Sequence, residues 1–166
     1  MPKLIRKGEI VDDHWTVLKE ATGPEVLTTV PGKNFIAPLK FWKFYGNELQ
    51  DYYGEKALWL DSDEDVNDIG DLLNDMPIIA LNFPVFSDGR AYSKARELRE
   101  KFGYQGEIRA IGDVLRDQIY FMSRCGFDAF ALRHDQDAEA CLQAFNDFHT
   151  GYQASVVEPT PLFRRR

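Results

Sequence analysis

The stretch "EIRAIGDVLRDQIYFMSRCGFDAF", residues 107–130, sets Arg109, Arg116 and Arg124 among Asp113, Asp117 and Cys125. Guanidinium groups bind oxyanions through paired N–H donors, and helix N-termini add partial positive charge. Arg90, Arg109 and Arg116 are therefore candidate oxyanion ligands, with Arg133 a further donor at a strand end. Asp113 and His134 are the candidate proton carriers, and His134 is the better placed to titrate because a free imidazole has a pKa near ~6.5. Arg109 lies inside the short apolar run "EIRAIG". A buried arginine there needs a carboxylate, and Asp88, Asp113 and Asp117 are the expected partners.

Each of these residues also has a plainer reading. Asp61, Asp88, Asp113 and Asp135 fall where helix caps are expected, and Gly89 where a turn is expected. Arg116 and Asp117 fit a solvated helix face. Cys125 precedes Gly126 at a helix C-terminus, where the negative end of the dipole disfavours a thiolate.

Several chemistries are excluded. The chain has no GxGxxG after a strand, no GxxxxGK[ST], no GxSxG and no HExxH, so no intrinsic dinucleotide or P-loop signature is present. Two cysteines, Cys125 and Cys141, cannot supply the four ligands of an iron–sulfur cluster or a Cys₄ zinc site. His14, His134 and His149 share no metal-ligand spacing, and "DSDED" at 61–65 lacks the glycine-centred spacing of an EF-hand. No metal is expected, and no cofactor is assigned. A formal net charge of −7 argues against broad nucleic-acid binding. No apolar run approaches the ~20 residues that cross a bilayer, and "MPKLIRKGEIVDDHW" has no secretory h-region, so a cytoplasmic address is expected.

The elements that must position these residues are strands alternating with helices. "KALWL", "PIIALNF", "EIRAIG" and "FDAFAL" read as buried strands, while "VNDIGDLL", "AYSKARELREKFG", "DVLRDQIYFMSRCG" and "DAEACLQAFNDF" read as helices. Asp113 is the expected N-cap of the third helix. "NFIAPLKFWKFYGNEL" reads as a strand and then a helix opened by Pro38, whose Phe41, Trp42, Phe44 and Tyr45 are either buried on more than one side or form a surface that a partner covers. "YQASVV" is a possible last strand. The fold class is α/β: repeated βα units with a mainly parallel sheet, either an open sheet or a partial-barrel arc, behind a strand or hairpin segment. The expected organisation is an extension over 1–34, an α/β domain over 35–157 and a flexible basic tail over 158–166. Ligands of such folds bind at the carboxyl ends of the strands.

"FPVFSDGRAYSKARELREKFGYQGEIRAIGDVLRDQ" and "RCGFDAFALR" resemble an uncharacterised bacterial family. Its members are encoded beside assimilatory sulfite reductase and are described as probable oxidoreductases of sulfite reduction. The resemblance extends over about residues 35–152 and rests on SDGR-x-x-S, G-E-x-R-A-x-G-D-V-x-x-D-Q and R-C-G-F-D. It singles out Asp88, Gly89, Arg90, Ser93, Arg109, Gly112, Asp113, Asp117, Gln118, Arg124 and Cys125. Sulfite reduction is a multi-electron reaction that normally needs siroheme, an iron–sulfur cluster and a flavin or ferredoxin donor. The resemblance therefore implies an accessory protein docking onto a sulfite reductase subunit. Two alternatives stay open: a small-molecule enzyme of sulfur metabolism binding an oxyanion at the strand-end rim, and a structural subunit without ligand.

Overall fold

Among the described residues, eight strands form one sheet. β1 (Lys3–Arg6) and β2 (Glu9–Asp12) make a hairpin, turned by Lys7 and Gly8, both with positive φ, as a tight two-residue turn requires. Then follow β3 (Thr16–Val17), β4 (Phe35–Pro38), β5 (Lys56–Leu60), β6 (Ile78–Phe83), β7 (Glu107–Gly112) and β8 (Ala129–Phe130). The helices are α1 (Leu39–Tyr45), α2 (Arg90–Glu100), α3 (Ile119–Cys125) and α4 (Ala138–Phe148), with short 3₁₀ turns between. This computed structural model describes residues 3–20, 23–29, 34–49, 52 and 54–148. The "YQASVV" strand and the basic tail lie outside them.

The strand order is β2-β1-β8-β7-β6-β5-β4-β3. β3 to β8 are parallel and neighbour one another in chain order, while β1 runs antiparallel to β8 and to β2. Right-handed crossovers between successive parallel strands put every helix on the same face. The sheet accordingly curls into a half-barrel, which resolves the choice between an open sheet and an arc. The N-terminal strands β1, β2 and β3 stand at both flanks of the sheet.

Strand alternation divides the core into two. On the convex side, Phe35, Leu58, Leu60, Ile79, Leu81, Phe83, Ile108 and Ala110 meet helix residues including Phe41, Ala95, Leu98, Met122 and Phe145. On the concave side, Ile36, Ala57, Trp59, Ile78, Ala80 and Ile111 are covered by Trp15, Val17 and Ala131. Within α1, Phe41 and Trp42 are buried, but Phe44 is 76% exposed. The aromatics are therefore buried on one side of that helix, not on several.

Arg109 points into the concave side and is only 1% exposed. Its register partners are Ala80 on one side and Ala129 on the other, whose small side chains leave room for the guanidinium. Its Nε donates to Glu107 Oε2 at 2.7 Å and its NH1 to Asp13 Oδ1 at 3.1 Å. The expected partners Asp88, Asp113 and Asp117 are replaced by these two, for a geometric reason. Glu107 sits two residues back on the same face of β7, and Asp13 arrives on the connection from β2 to β3. Asp88, Asp113 and Asp117 instead pair with Arg90, Arg133 and Arg116.

The expected helices also differ at their ends. "VNDIGDLL" is 3₁₀ rather than α, interrupted at Gly70 with φ 59°, and its cap is Asp65, which accepts from the Asn67 amide. α4 is opened by Asp137, which accepts from the Glu139 amide, not by Asp135. Residues 113–115 are not helical, because Gly112 turns the chain so that the Asp113 amide donates back to Phe83 O at 2.8 Å.

Replacing Arg109 by alanine takes the nearest cation from two largely buried carboxylates, leaving Asp13 the Trp15 amide and Glu107 the Arg6 guanidinium 4.0 Å away. Arg109→Ala is expected to lower unfolding free energy by ~3–5 kcal/mol, read from urea denaturation. Arg109→Ala combined with Glu107→Gln and Asp13→Asn should recover part of that loss.

Candidate functional site at the carboxyl ends of the strands

The carboxyl ends of the parallel strands open on a cleft of about 640 Å³. β3 and its extension supply Val17 and Lys19, β5 Trp59 and Asp61, β6 Asn82, β7 Ile111 and Asp113, and β8 the following Arg133 and His134. The floor is apolar and the rim is polar, because the last inward-facing residue of each strand stands at the edge of the concave core. The Trp59 ring is fixed by its Nε1, which donates to Leu18 O at 2.9 Å.

Asp61 accepts from Asn82 Nδ2 at 3.0 Å and from the Ser62 amide at 2.8 Å. Asp113 accepts from Arg133 NH1 at 2.8 Å with one oxygen and from the Phe86 amide at 2.8 Å with the other. Arg133 also grips Asp135 through Nε at 2.6 Å and NH2 at 2.8 Å. Asp113 is thus a tether between two loops, not a helix cap. The Arg133 guanidinium holds both carboxyls below their usual range, Asp135 at about 2.

Gly112 makes this junction possible. Its φ is 90°, and an added Cβ would collide with Asn82 Oδ1 and lie 2.5 Å from Phe83 O.

The other predicted residues are not gathered here. Arg90 lies outside the cleft, donating to both Asp88 oxygens and to Ser62 Oγ at 2.8 Å. That bidentate grip holds the Asp88 carboxyl well below the carboxylate range. Asp88 also accepts from the Arg90 amide at 3.0 Å, but the N-cap of α2 is Gly89, which follows it and makes no side-chain cap. Ser93 lies on α2 beside a second depression lined by Ser62, Asp65, Arg90 and Lys94. Arg116 is exposed and pairs with Asp117 at 3.6 Å. Gln118 donates to Phe86 O at 2.6 Å, and Arg124 lies over the Tyr120 ring at 5.8 Å. Cys125 is buried, and burial pushes its thiol up.

Arg90, Arg109 and Arg116 therefore stand at three separate places, each on a carboxylate. Of the predicted proton carriers, Asp113 and His134 share the cleft rim. Lys19, Trp59 and Asn82 line the cleft without having been singled out. Asn82 carried the only signal, as the one polar residue in "PIIALNF". Among the described residues, no group of three or more His, Cys, Asp or Glu side chains could hold a metal ion, and no helix is long and apolar enough to cross a membrane.

The pH behaviour of the rim follows from Arg133. Carboxyls with depressed folded-state pKa values contribute stability fully above the ordinary value near ~3.9 and lose it as pH falls through the folded value. The Asp135 carboxyl should titrate near 2 by NMR and return to the ordinary range in Arg133→Gln. Gly112→Ala should destabilise by at least ~1–3 kcal/mol through backbone strain alone. It should unfold at lower urea than Gly8→Ala, since an added Cβ at Gly8 meets nothing within 4 Å.

Residues 57–163 match a family model described as "Bacterial protein of unknown function (DUF934)", which covers more than half of the chain. No curated protein matches it.

Proposed function

The chain belongs to this DUF934 family, and on that premise we propose that it is an accessory protein of assimilatory sulfite reduction, docking onto sulfite reductase rather than reducing sulfite alone. The observation that carries this reading is the state of the strand-end arginines. Arg90, Arg116 and Arg133 are each engaged by the protein's own carboxylates, and Arg109 is sealed in the core. An oxyanion enzyme needs guanidinium groups converging on one point, and this geometry lends that alternative no support. A docking protein needs loops held in one shape, and internal ion pairs do that. The link to sulfite reduction rests on the resemblance carried by SDGR-x-x-S, G-E-x-R-A-x-G-D-V-x-x-D-Q and R-C-G-F-D, all of which lie inside the matched segment.

The test is a pull-down of the tagged full chain from its native host grown on sulfate, with bound proteins identified by mass spectrometry. A sulfite reductase subunit at near-stoichiometric yield is the expected result. A preparation lacking it, together with normal growth on sulfate after deletion of the gene, would sink the reading.

A further inference from the structure

We propose that the cleft at the strand ends binds an α-amino acid with an apolar side chain, its ammonium group held by Asp61 and its carboxylate by Lys19. The proposal goes beyond the accessory reading and does not rest on it.

Strand alternation builds the cleft as one further layer on the concave core. Val17, Trp59, Ala80, Ile111 and Ala131 face the concave side. The residue two positions beyond each of them, Lys19, Asp61, Asn82, Asp113 and Arg133, lines the cleft, as the period of two in side-chain direction requires. A polar ring therefore stands directly on an apolar floor, which is the usual build of a small-molecule site. The floor is also rigid where it is aromatic, because Trp59 Nε1 donates to Leu18 O at 2.9 Å.

Within that ring, two charges are left for a ligand. Asp113 and Arg133 answer each other at 2.8 Å. Asp61 is oriented by Asn82 Nδ2 and the Ser62 amide, and both donate to its Oδ1. Among the described residues no donor reaches Asp61 Oδ2, and the Lys19 side chain makes no hydrogen bond or ion pair. Arg90 feels the Asp61 charge through space, but its donors go to Asp88 and Ser62. Lys19 and Asp61 do not bond to each other, because β4, ending at Pro38, stands between β3 and β5. All three residues line a second, smaller depression that continues the cleft on that side. The balance of charge selects the ligand. Lys19 and Arg133 stand against Asp61 and Asp113, so a ligand with net charge would lose hydration and meet no net counter-charge. A zwitterion brings both signs at once, and its apolar side chain lies on Val17, Trp59 and Ile111. A cleft of about 640 Å³ admits side chains up to the aromatic ones.

The test titrates ¹⁵N-labelled full-length protein with L-phenylalanine, with phenethylamine, which lacks the carboxylate, and with hydrocinnamate, which lacks the ammonium group. Shifts should gather at residues 17–19, 59–61, 82, 111–113 and 131–134 and at the Trp59 indole N–H. L-Phenylalanine should bind about tenfold or more tightly than either truncated probe, since each lacks one charge-assisted hydrogen bond. Lys19→Gln should weaken L-phenylalanine by about tenfold and leave phenethylamine unchanged. Asp61→Asn should weaken L-phenylalanine similarly and leave hydrocinnamate unchanged. Lys19 is exposed, so its variant keeps a folded amide spectrum and decides the matter even if Asp61→Asn disturbs the Asn82 contact. No shift at millimolar L-phenylalanine overturns the site, as do shifts on another face. A truncated probe that binds as tightly as L-phenylalanine, or an affinity for it that Lys19→Gln does not change, overturns the assignment of a zwitterion.

Discussion

The guanidinium of Arg109, closed off from water between Glu107 and Asp13, ties the middle of the sheet to the start of the chain. A charge at that depth is tolerable only when paired and hydrogen-bonded. One partner comes from the same strand face two residues away, and the other from 96 residues earlier. That second bond holds the connection from β2 to β3 across the concave side, where Trp15 and Val17 cover the inner core. A half-barrel leaves its concave face open unless something fills it, and here the N-terminal segment does. The same segment places β3 on one flank and pairs β1 with β8 on the other.

Everything at the strand ends follows from that frame. The described helices pack on the convex side, and because β3 to β8 are parallel the loops after them meet at one rim. There the protein engages its arginines with its own carboxylates. Arg133 links Asp113 to Asp135, and Asp113 reaches on to the Phe86 amide. Arg90 joins Asp88 to the buried Ser62. The rim is consequently stiff, and electrostatically it is largely self-contained. Val85 and Phe86 on the loop after β6, and Phe121 on α3, stand exposed beside it.

The sheet was legible because its strands are covered on both faces and read as apolar runs, and β5 to β8 fall on the four runs expected for them. The helix starts were less legible. An aspartate ahead of a helical pattern reads as a cap wherever it stands, yet Asp61 and Asp113 bond across to other segments and Asp135 is gripped by Arg133, while Asp65 and Asp137 do the capping. For Asp61 and Asp113 the difference lies in partners distant in sequence. Asn82 and Lys19 went unnoticed in the same way, since a polar residue at a strand end acquires meaning only when neighbouring strands place other polar groups beside it.

Alternation of apolar runs, helical spacing and turn residues determined the α/β class, the mainly parallel sheet and the need for Arg109 to find a carboxylate. These depend on contacts within a few residues and on the cost of burying a charge, both of which are written locally. Strand order, the closing of the N-terminal hairpin onto β8 and the choice of Asp13 over Asp88, Asp113 and Asp117 were decided only by the tertiary structure. The physical reason is that ion pairs and sheet edges are chosen by distance in space, and curling the sheet brings residue 13 to residue 109 while carrying the rim aspartates to the far end of the strands.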